Sequence, residues 1–457
     1  MALNVIKISR IRPATDSSRD SVESLVIPLT FFDLRWVRSH PTQKVIFYKL
    51  SGPESSRECF HAVILPKLQL SLSLVLRHYI PLAGRLTWWA PEDPKPRIVV
   101  SDESTVSLVV AETDADFSGV SGKGLRHQSE LRVLVPELSI SRDSATLISL
   151  QITLFPTKGF SIGTSEHHVV QDATGSSMFI KSWAHICKSQ EIGTMTLPEE
   201  LSPVIDRTIV EVPANLESKI LESQSYFSDE INGKRTLNMP PIGKIGSDFV
   251  RFTLQLTQEH IVKLKERVNS ESTRRDLHLS TFVVANAYMW SCMVKARGGD
   301  AERPVVFMYA ADFRNRLNRS VPENYFGNCV FPIGCFGYEA KTFLGEDGFV
   351  NAVEILSGSV KSLGSRGIES LCDMYIDGME SMKIGTQVES VSGSNWIGIY
   401  ESDFGWGRPV NNEMVSIDRY TAFTMSKRRD ETGGVEIGLC LTKTEMDIFI
   451  SLFKNDF

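Results

Sequence analysis

Two histidines stand side by side at positions 167 and 168, and an aspartate follows four residues after the second, in the run Glu166-His167-His168-Val169-Val170-Gln171-Asp172. A neutral imidazole accepts a proton near pH 7, so one exposed histidine beside a bound alcohol or amine is enough for general-base catalysis. A shared metal is a poor fit. Adjacent residues on extended backbone point to opposite sides, and no third histidine, cysteine or carboxylate follows at a familiar ligand spacing, so no metal is expected. A hydrolase triad lacks its nucleophile elbow, since the G-x-S-x-G at residues 159–163 falls inside a strand pattern and not on a strand-to-helix turn. Hydrogen-bonded structural histidines remain open as a reading at this point.

The elements around the run place it on a loop. Residues 147–154 read Leu-Ile-Ser-Leu-Gln-Ile-Thr-Leu, alternating from Ile148 as a strand does, and Gly159-Phe160-Ser161-Ile162-Gly163 is a second short strand. From Ser176 to Cys187, Phe179, Ile180, Trp183, Ala184 and Cys187 recur at helical spacing, so the histidines sit on a strand-to-helix connection that can expose them. Upstream, Leu68, Leu72, Val75 and Leu76 predict a helix over residues 67–78, stopped by the Pro and Gly of Tyr79-Ile80-Pro81-Leu82-Ala83-Gly84. Strands are predicted at 97–100 and 106–110. In the second half, residues 280–295 read as a long apolar helix after a charged, surface-like 266–276, and 305–309 as a buried strand. Gly433-Gly434 precedes a strand at 435–441, and Thr442-Lys443-Thr444-Glu445 matches a capping box opening a last helix through Met446, Ile448, Phe449 and Leu452.

With 457 residues, 42% of them hydrophobic, the chain exceeds one ordinary core. Strand and helix patterns alternate, which predicts a mixed α/β architecture. The polar, proline-containing stretch 188–213 reads as a crossover between a domain at 1–187 and another at 214–457, and a cleft between two domains is where ligands bind. The net charge is −6 and no Lys/Arg run forms a stripe, so nucleic acid is not expected as a partner. Seven scattered cysteines without a C-x-x-C pair predict reduced thiols. The residues from Met1 to Arg10 lack an apolar signal core, and no stretch reaches about 18 apolar residues. A soluble, cytoplasmic, membrane-free protein is the expectation.

His168-Val169-Val170-Gln171-Asp172 lies mid-chain, and Asp403-Phe404-Gly405-Trp406-Gly407 lies about fifty residues before the end. Together these two motifs, H-x-x-x-D and D-F-G-W-G, resemble the paired signatures of the plant BAHD family of acyl-CoA-dependent acyltransferases. Pro28-Leu29-Thr30-Phe31-Phe32-Asp33, Tyr79 to Leu86 and Tyr325-Phe326-Gly327-Asn328-Cys329 extend the resemblance over the whole chain, the last pointing to the branch that acts on anthocyanins and other phenolic glycosides. One departure is Ala173, where a glycine often follows the motif's aspartate.

The resemblance implies two similarly folded, chloramphenicol acetyltransferase-like domains with mixed sheets and a channel at their interface, in a monomer with no bound cofactor. Acyl-CoA and the glycoside would meet at His168, the general base, with His167 a structural neighbour and no acyl-enzyme formed. Asp172 would pair with Arg314 behind the loop. Asp403, Gly405, Trp406 and Gly407 suit a tight packed turn that supports the CoA side from a distance. Ser392 and Ser394 fall where related enzymes place a donor to the reacting carbonyl. Ser280 and Thr281, opening the long second-half helix, could meet a CoA phosphate or act as plain caps. Malonyl-CoA is the expected donor and a phenolic or flavonoid glucoside the expected acceptor. A hydroxycinnamoyl donor is the alternative, and a catalytically silent ligand-binding relative is the competing class.

Overall fold

The computed structural model describes residues 2–15, 24–88, 94–189, 196–223, 236–241, 246–394, 398–419, 422–430 and 433–457. Among the described residues, seventeen strands form three sheets. The first has six strands in the order β1 (Asn4–Ile11), β6 (Val106–Glu112), β9 (Ile148–Phe155), β10 (Gly159–Glu166), β3 (Thr42–Lys49) and β15 (Asn411–Met414). The second has seven: β13 (Val330–Glu339), β12 (Pro304–Asp312), β14 (Gln387–Gly393), β16 (Ala422–Lys427), β17 (Val435–Thr442), β11 (Phe249–Leu256) and β7 (Arg126–His127). A small sheet joins β2 (Leu25–Pro28), β5 (Arg97–Val100), β4 (Arg85–Thr87) and β8 (Ser144–Thr146).

Both large sheets mix parallel and antiparallel pairs: β6 runs parallel to β9, and β12 to β14 to β16. Each also borrows a strand from the other half of the chain. β15 pairs with β3, Asn411 opposite Phe47, and β7 pairs with β11, Arg126 opposite Arg251. The two halves are therefore tied by backbone hydrogen bonds, and a cut after residue 213 would not separate two complete sheets.

β9 and β10 are buried at every position, as expected of central strands covered on both faces. Their covers include the helix Ala173–Lys188, packed on Leu65–Val75 through Phe179, Ile180 and Trp183. Gly163 is required by a neighbour: a Cβ there would lie 1.9 Å from the Leu134 carbonyl oxygen. The helix predicted over 67–78 belongs to a longer run from Arg57 to Val75, opened by the Ser56 hydroxyl, which accepts from the Cys59 N–H. Among the described residues this is the one helix long and apolar enough to cross a membrane, and Phe60, Ile64, Leu68, Leu72 and Val75 bury one face of it in the core.

The strands at 97–100, 106–112, 148–155, 159–166, 304–312 and 435–442 and the helices at 173–188 and 281–297 fall where the periodicity predicts them. The capping box at Thr442 and Glu445 forms in both directions. β13 and β14 escape a pattern reading for physical reasons. β13 carries Pro332 and Gly334 in its interior, and β14 alternates buried Gln387, Glu389 and Val391 with Ser390 and Ser392, which face a cavity instead of a core. All seven cysteines are unpaired thiols.

Candidate active site

β10 ends at Glu166 and the chain turns through one 3-10 turn, His168–Val170, before the helix Ala173–Lys188 begins. His167 is fully buried at the start of that turn. Its backbone N–H donates to the Leu147 carbonyl (2.8 Å), and its Nδ1 accepts from the Val169 N–H (3.3 Å). Burial, with the neighbouring His168 adding to it, pushes its pKa down to about 3. A neutral, enclosed imidazole of this kind is a local cap.

His168 is half-buried and lines a cavity of about 1230 Å³ walled by both halves of the chain. Burial lowers its pKa below the usual 6.5, against the raising influence of its backbone hydrogen bond, Asp172, Asn328 and Glu166, so the ring is neutral at pH 7. Its tautomer is fixed by accounting. The Asn328 amide nitrogen donates to the Asp33 carboxylate (3.0 Å), the His168 carbonyl (2.9 Å) and the Val169 carbonyl (3.2 Å). That leaves the Asn328 Oδ1, an acceptor only, facing His168 Nδ1 at 3.1 Å, so Nδ1 carries the proton. The lone pair then resides on Nε2. Trp36 stacks on the imidazole with centroids 4.0 Å apart and planes 15° from parallel, and the Arg35 guanidinium lies 5.2 Å over the indole.

Asp172 caps the following helix. Its Oδ1 accepts from the N–H groups of Thr174 (3.1 Å) and Gly175 (3.2 Å), and its Oδ2 accepts from the Cys329 N–H (3.1 Å). Arg314 closes the arrangement at 2.9 Å, with both side chains almost wholly buried. The carboxylate is spent on these partners, and its link to His168 is through the loop. Asp33, itself in a capping box with Thr30, receives both the backbone and side-chain N–H of Asn328 and faces Arg207 at 3.4 Å. Arg207, from the predicted crossover, also donates to the carbonyls of Val170 (3.1 Å) and Phe326. Gly327 leaves room for this packing, since a Cβ there would lie 1.9 Å from the Arg207 Nη1 and 2.6 Å from the Tyr325 ring and would push both aside.

Ser392 and Ser394 line the same cavity as His168, as do Ser280 and Thr281. The Ser280 hydroxyl accepts from the Val283 N–H (3.2 Å), so it caps the helix Thr281–Arg297 while its residue faces the cavity. Asp403, Gly405, Trp406 and Gly407 lie apart from the cavity lining. They form a turn in which the Asp403 Oδ1 accepts from the N–H of Gly405 (2.8 Å) and of Gly407 (2.9 Å), at φ values of 107° and 98° that favour glycine. Lys188 pairs with Asp403 at 2.6 Å and Lys67 sits over Trp406. Among the described residues no three His, Cys, Asp or Glu side chains converge as a metal site would require.

Trp36, Asp33, Asn328 and Arg207 are site residues that pattern reasoning did not assign. Asp33 and Asn328 stand inside quoted motifs, but their roles exist only once positions 33, 168 and 328 meet. Trp36 gives no sequence signal at all.

A family model described as the Transferase family matches residues 1–456. An Arabidopsis thaliana BAHD acyltransferase is 59% identical over 100% of this chain and 99% of its own. From the same plant, an agmatine coumaroyltransferase is 55% identical over 99% of both chains, and phenolic glucoside malonyltransferase 2 is 49% identical over 100% of this chain and 99% of its own. The crystal structure of vinorine synthase superposes with a TM-score of 0.70 at 18% identity, covering 99% of this chain and 98% of that one, which is a likeness of fold.

Proposed function

Because the chain belongs to the plant BAHD family of acyl-CoA-dependent acyltransferases, we propose that it transfers a hydroxycinnamoyl group from CoA to a hydroxyl of a phenolic or flavonoid glucoside, with His168 as general base. The observation that carries this is an imidazole whose Nδ1–H is held by Asn328, leaving a basic Nε2 on a residue that lines a cavity of about 1230 Å³ walled by both halves of the chain. A pocket with its tautomer fixed and its base exposed is equipment for turnover, which a silent binding relative does not need.

The chemistry balances without a covalent enzyme intermediate. As the acceptor oxygen attacks the thioester carbonyl carbon, Nε2 takes its proton, because a sugar hydroxyl is far too weak an acid to be deprotonated by imidazole beforehand. The carbonyl oxygen becomes an oxyanion in the cavity that Ser392 and Ser394 also line, and their hydroxyls are the donors proposed to stabilise it. Collapse expels CoA thiolate, which takes the proton back from His168. Both substrates share one cavity, so proximity replaces a covalent relay. Seven unpaired thiols suit the reducing cytosol as its location.

Two things favour an aromatic donor over malonyl. The relative named for coumaroyl transfer is 55% identical, against 49%, 44% and 43% for Arabidopsis relatives named for malonyl transfer. Trp36, Phe282 and Tyr309 line the cavity with aromatic surface, whereas Lys181, the basic residue on the helix after the motif, pairs with Glu401 at 3.4 Å outside the cavity lining. The malonyl reading keeps one specific support, since a malonyl carboxylate wants a cation and Arg419 lines the cavity. Purified protein given p-coumaroyl-CoA or malonyl-CoA, with a panel of phenolic glucosides and agmatine, separates these by product mass. Coumaroyl glucoside formation that His168→Ala abolishes is the expected result. Malonyl transfer alone overturns the donor, acylated agmatine alone overturns the acceptor, and turnover that survives in His168→Ala overturns the base.

A further inference from the structure

We propose that the cleft between β13 and the helices Gly348–Ser362 and Ile368–Glu380 is a second ligand site, suited to a neutral aromatic glycoside and bordering the catalytic cavity. It encloses about 830 Å³ and shares no lining residue with that cavity. The two are nonetheless neighbours across single hydrogen bonds. Tyr375, on the cleft side, accepts from the Nη2 of Arg35 on the cavity side (2.6 Å), and Ser359 bonds Tyr309 across the same partition (2.9 Å).

The lining fits a ring joined to a sugar. Phe336, Tyr338 and Tyr375 provide aromatic surface, and Asn351, Glu354 and Asp377 provide polar groups that can pair with hydroxyls. Arg274 and Arg366 oppose the two carboxylates in sign, so the cleft does not select a charged ligand.

The glycines supply an independent reason to see a site. Gly334 and Gly378 seat the Phe336 ring, since a Cβ at either would lie 2.1 or 2.3 Å from it. Gly358 has no such need. It lies inside a helix, where alanine is the more favourable residue, its φ is not in the positive region, and a Cβ there would meet nothing within 4 Å. Neither backbone conformation nor crowding requires glycine at 358. Its effect is to keep the cleft wall bare, as close approach of a ligand would.

The choice of probe follows the acceptor reading above, and the experiment separates the two. Phenyl β-glucoside is titrated calorimetrically into the full chain and into Gly358→Leu, which puts a side chain into open space, with glucose and phenol as separate arms. Turnover with p-coumaroyl-CoA is read in the same samples. The expected result is that Gly358→Leu weakens one class of glucoside binding by at least about tenfold, while kcat with a donor saturating the catalytic cavity stays within twofold or so. Met374→Trp, at a side chain 45% exposed on the opposite wall, gives the same loss and guards against a folding defect in the first variant. Glucoside binding that is identical in wild type and both variants, or absent from wild type, overturns the site. Equal binding of phenol or glucose alone overturns the ligand class. Binding lost in the variants with no turnover in wild type keeps the site and sinks the acceptor reading instead.

Discussion

Replacing Asn328 with leucine tests whether the tautomer of His168 is what makes it a base. The side chain is fully buried and makes four contacts: it accepts from His168 Nδ1 (3.1 Å) and donates to Asp33 (3.0 Å) and to the carbonyls of His168 (2.9 Å) and Val169 (3.2 Å). Leucine removes all four while keeping similar volume. A buried donor left without its acceptor costs about 1–3 kcal/mol, and that cost falls on the Nδ1–H form alone. The competent tautomer therefore loses roughly 5- to 150-fold of its advantage, and kcat should fall by about 10- to 100-fold with little change in KM for acyl-CoA. Asn328 also raises the His168 pKa, so its loss moves the acid limb of the kcat/KM profile to still lower pH. Release of CoA thiol, followed with a thiol-reactive chromophore from pH 5 to 8, measures both effects, and circular dichroism checks that the variant is folded. A kcat within twofold of wild type, with an unmoved acid limb, would refute the tautomer argument.

Three further outcomes follow from the same geometry. Arg314→Met leaves Asp172 buried with only backbone donors and should cost about 3–5 kcal/mol, whereas the double variant Asp172→Asn/Arg314→Met should cost clearly less than the sum of the singles; strictly additive denaturation energies would show that the pair is not coupled. His167→Gln should leave the acid limb where it is, because His167 with its pKa near 3 stays neutral across the working range; a limb that moves would make it part of the base. Glu389 is fully buried, hydrogen-bonded by Gln387 at one oxygen, and burial pushes its pKa up to about 7 from the ordinary 4.5. Its raised folded pKa means that the stability it confers is complete below pH 4.5 and is lost as pH rises through 7, a difference of roughly 3 kcal/mol. Glu389→Gln should thus stabilise the protein at pH 8 and not at pH 4.5, and equal urea midpoints at pH 8 would contradict this.

Much of the architecture could be read from local pattern. β9, β10 and the helix Ala173–Lys188 carry uninterrupted or periodic apolar residues because they are covered by core, and the capping residues Asp172 and Thr442 act on N–H groups two or three positions away. Elements that face the cavity were harder. β14 is polar at Ser390 and Ser392 because its outer face meets solvent or substrate, and such a strand lacks the alternation that marks one packed on a core. The exchange of β7 and β15 between sheets leaves no local trace either, since pairing partners about 125 residues apart for β7 and about 365 for β15 are set by where the chain passes.

The sequence alone determined the strand-to-helix loop and the two motifs that resemble an acyltransferase. Tertiary structure decided which atoms of that loop do what. Hydrogen-bond direction is a matter of satisfied donors and acceptors, and those of His168 are satisfied by Asn328 and, through it, Asp33, from segments 160 and 135 residues away. A one-dimensional pattern carries periodicity, which is local. The identity of the basic nitrogen depends on contacts that form only when both halves of the chain are folded around it.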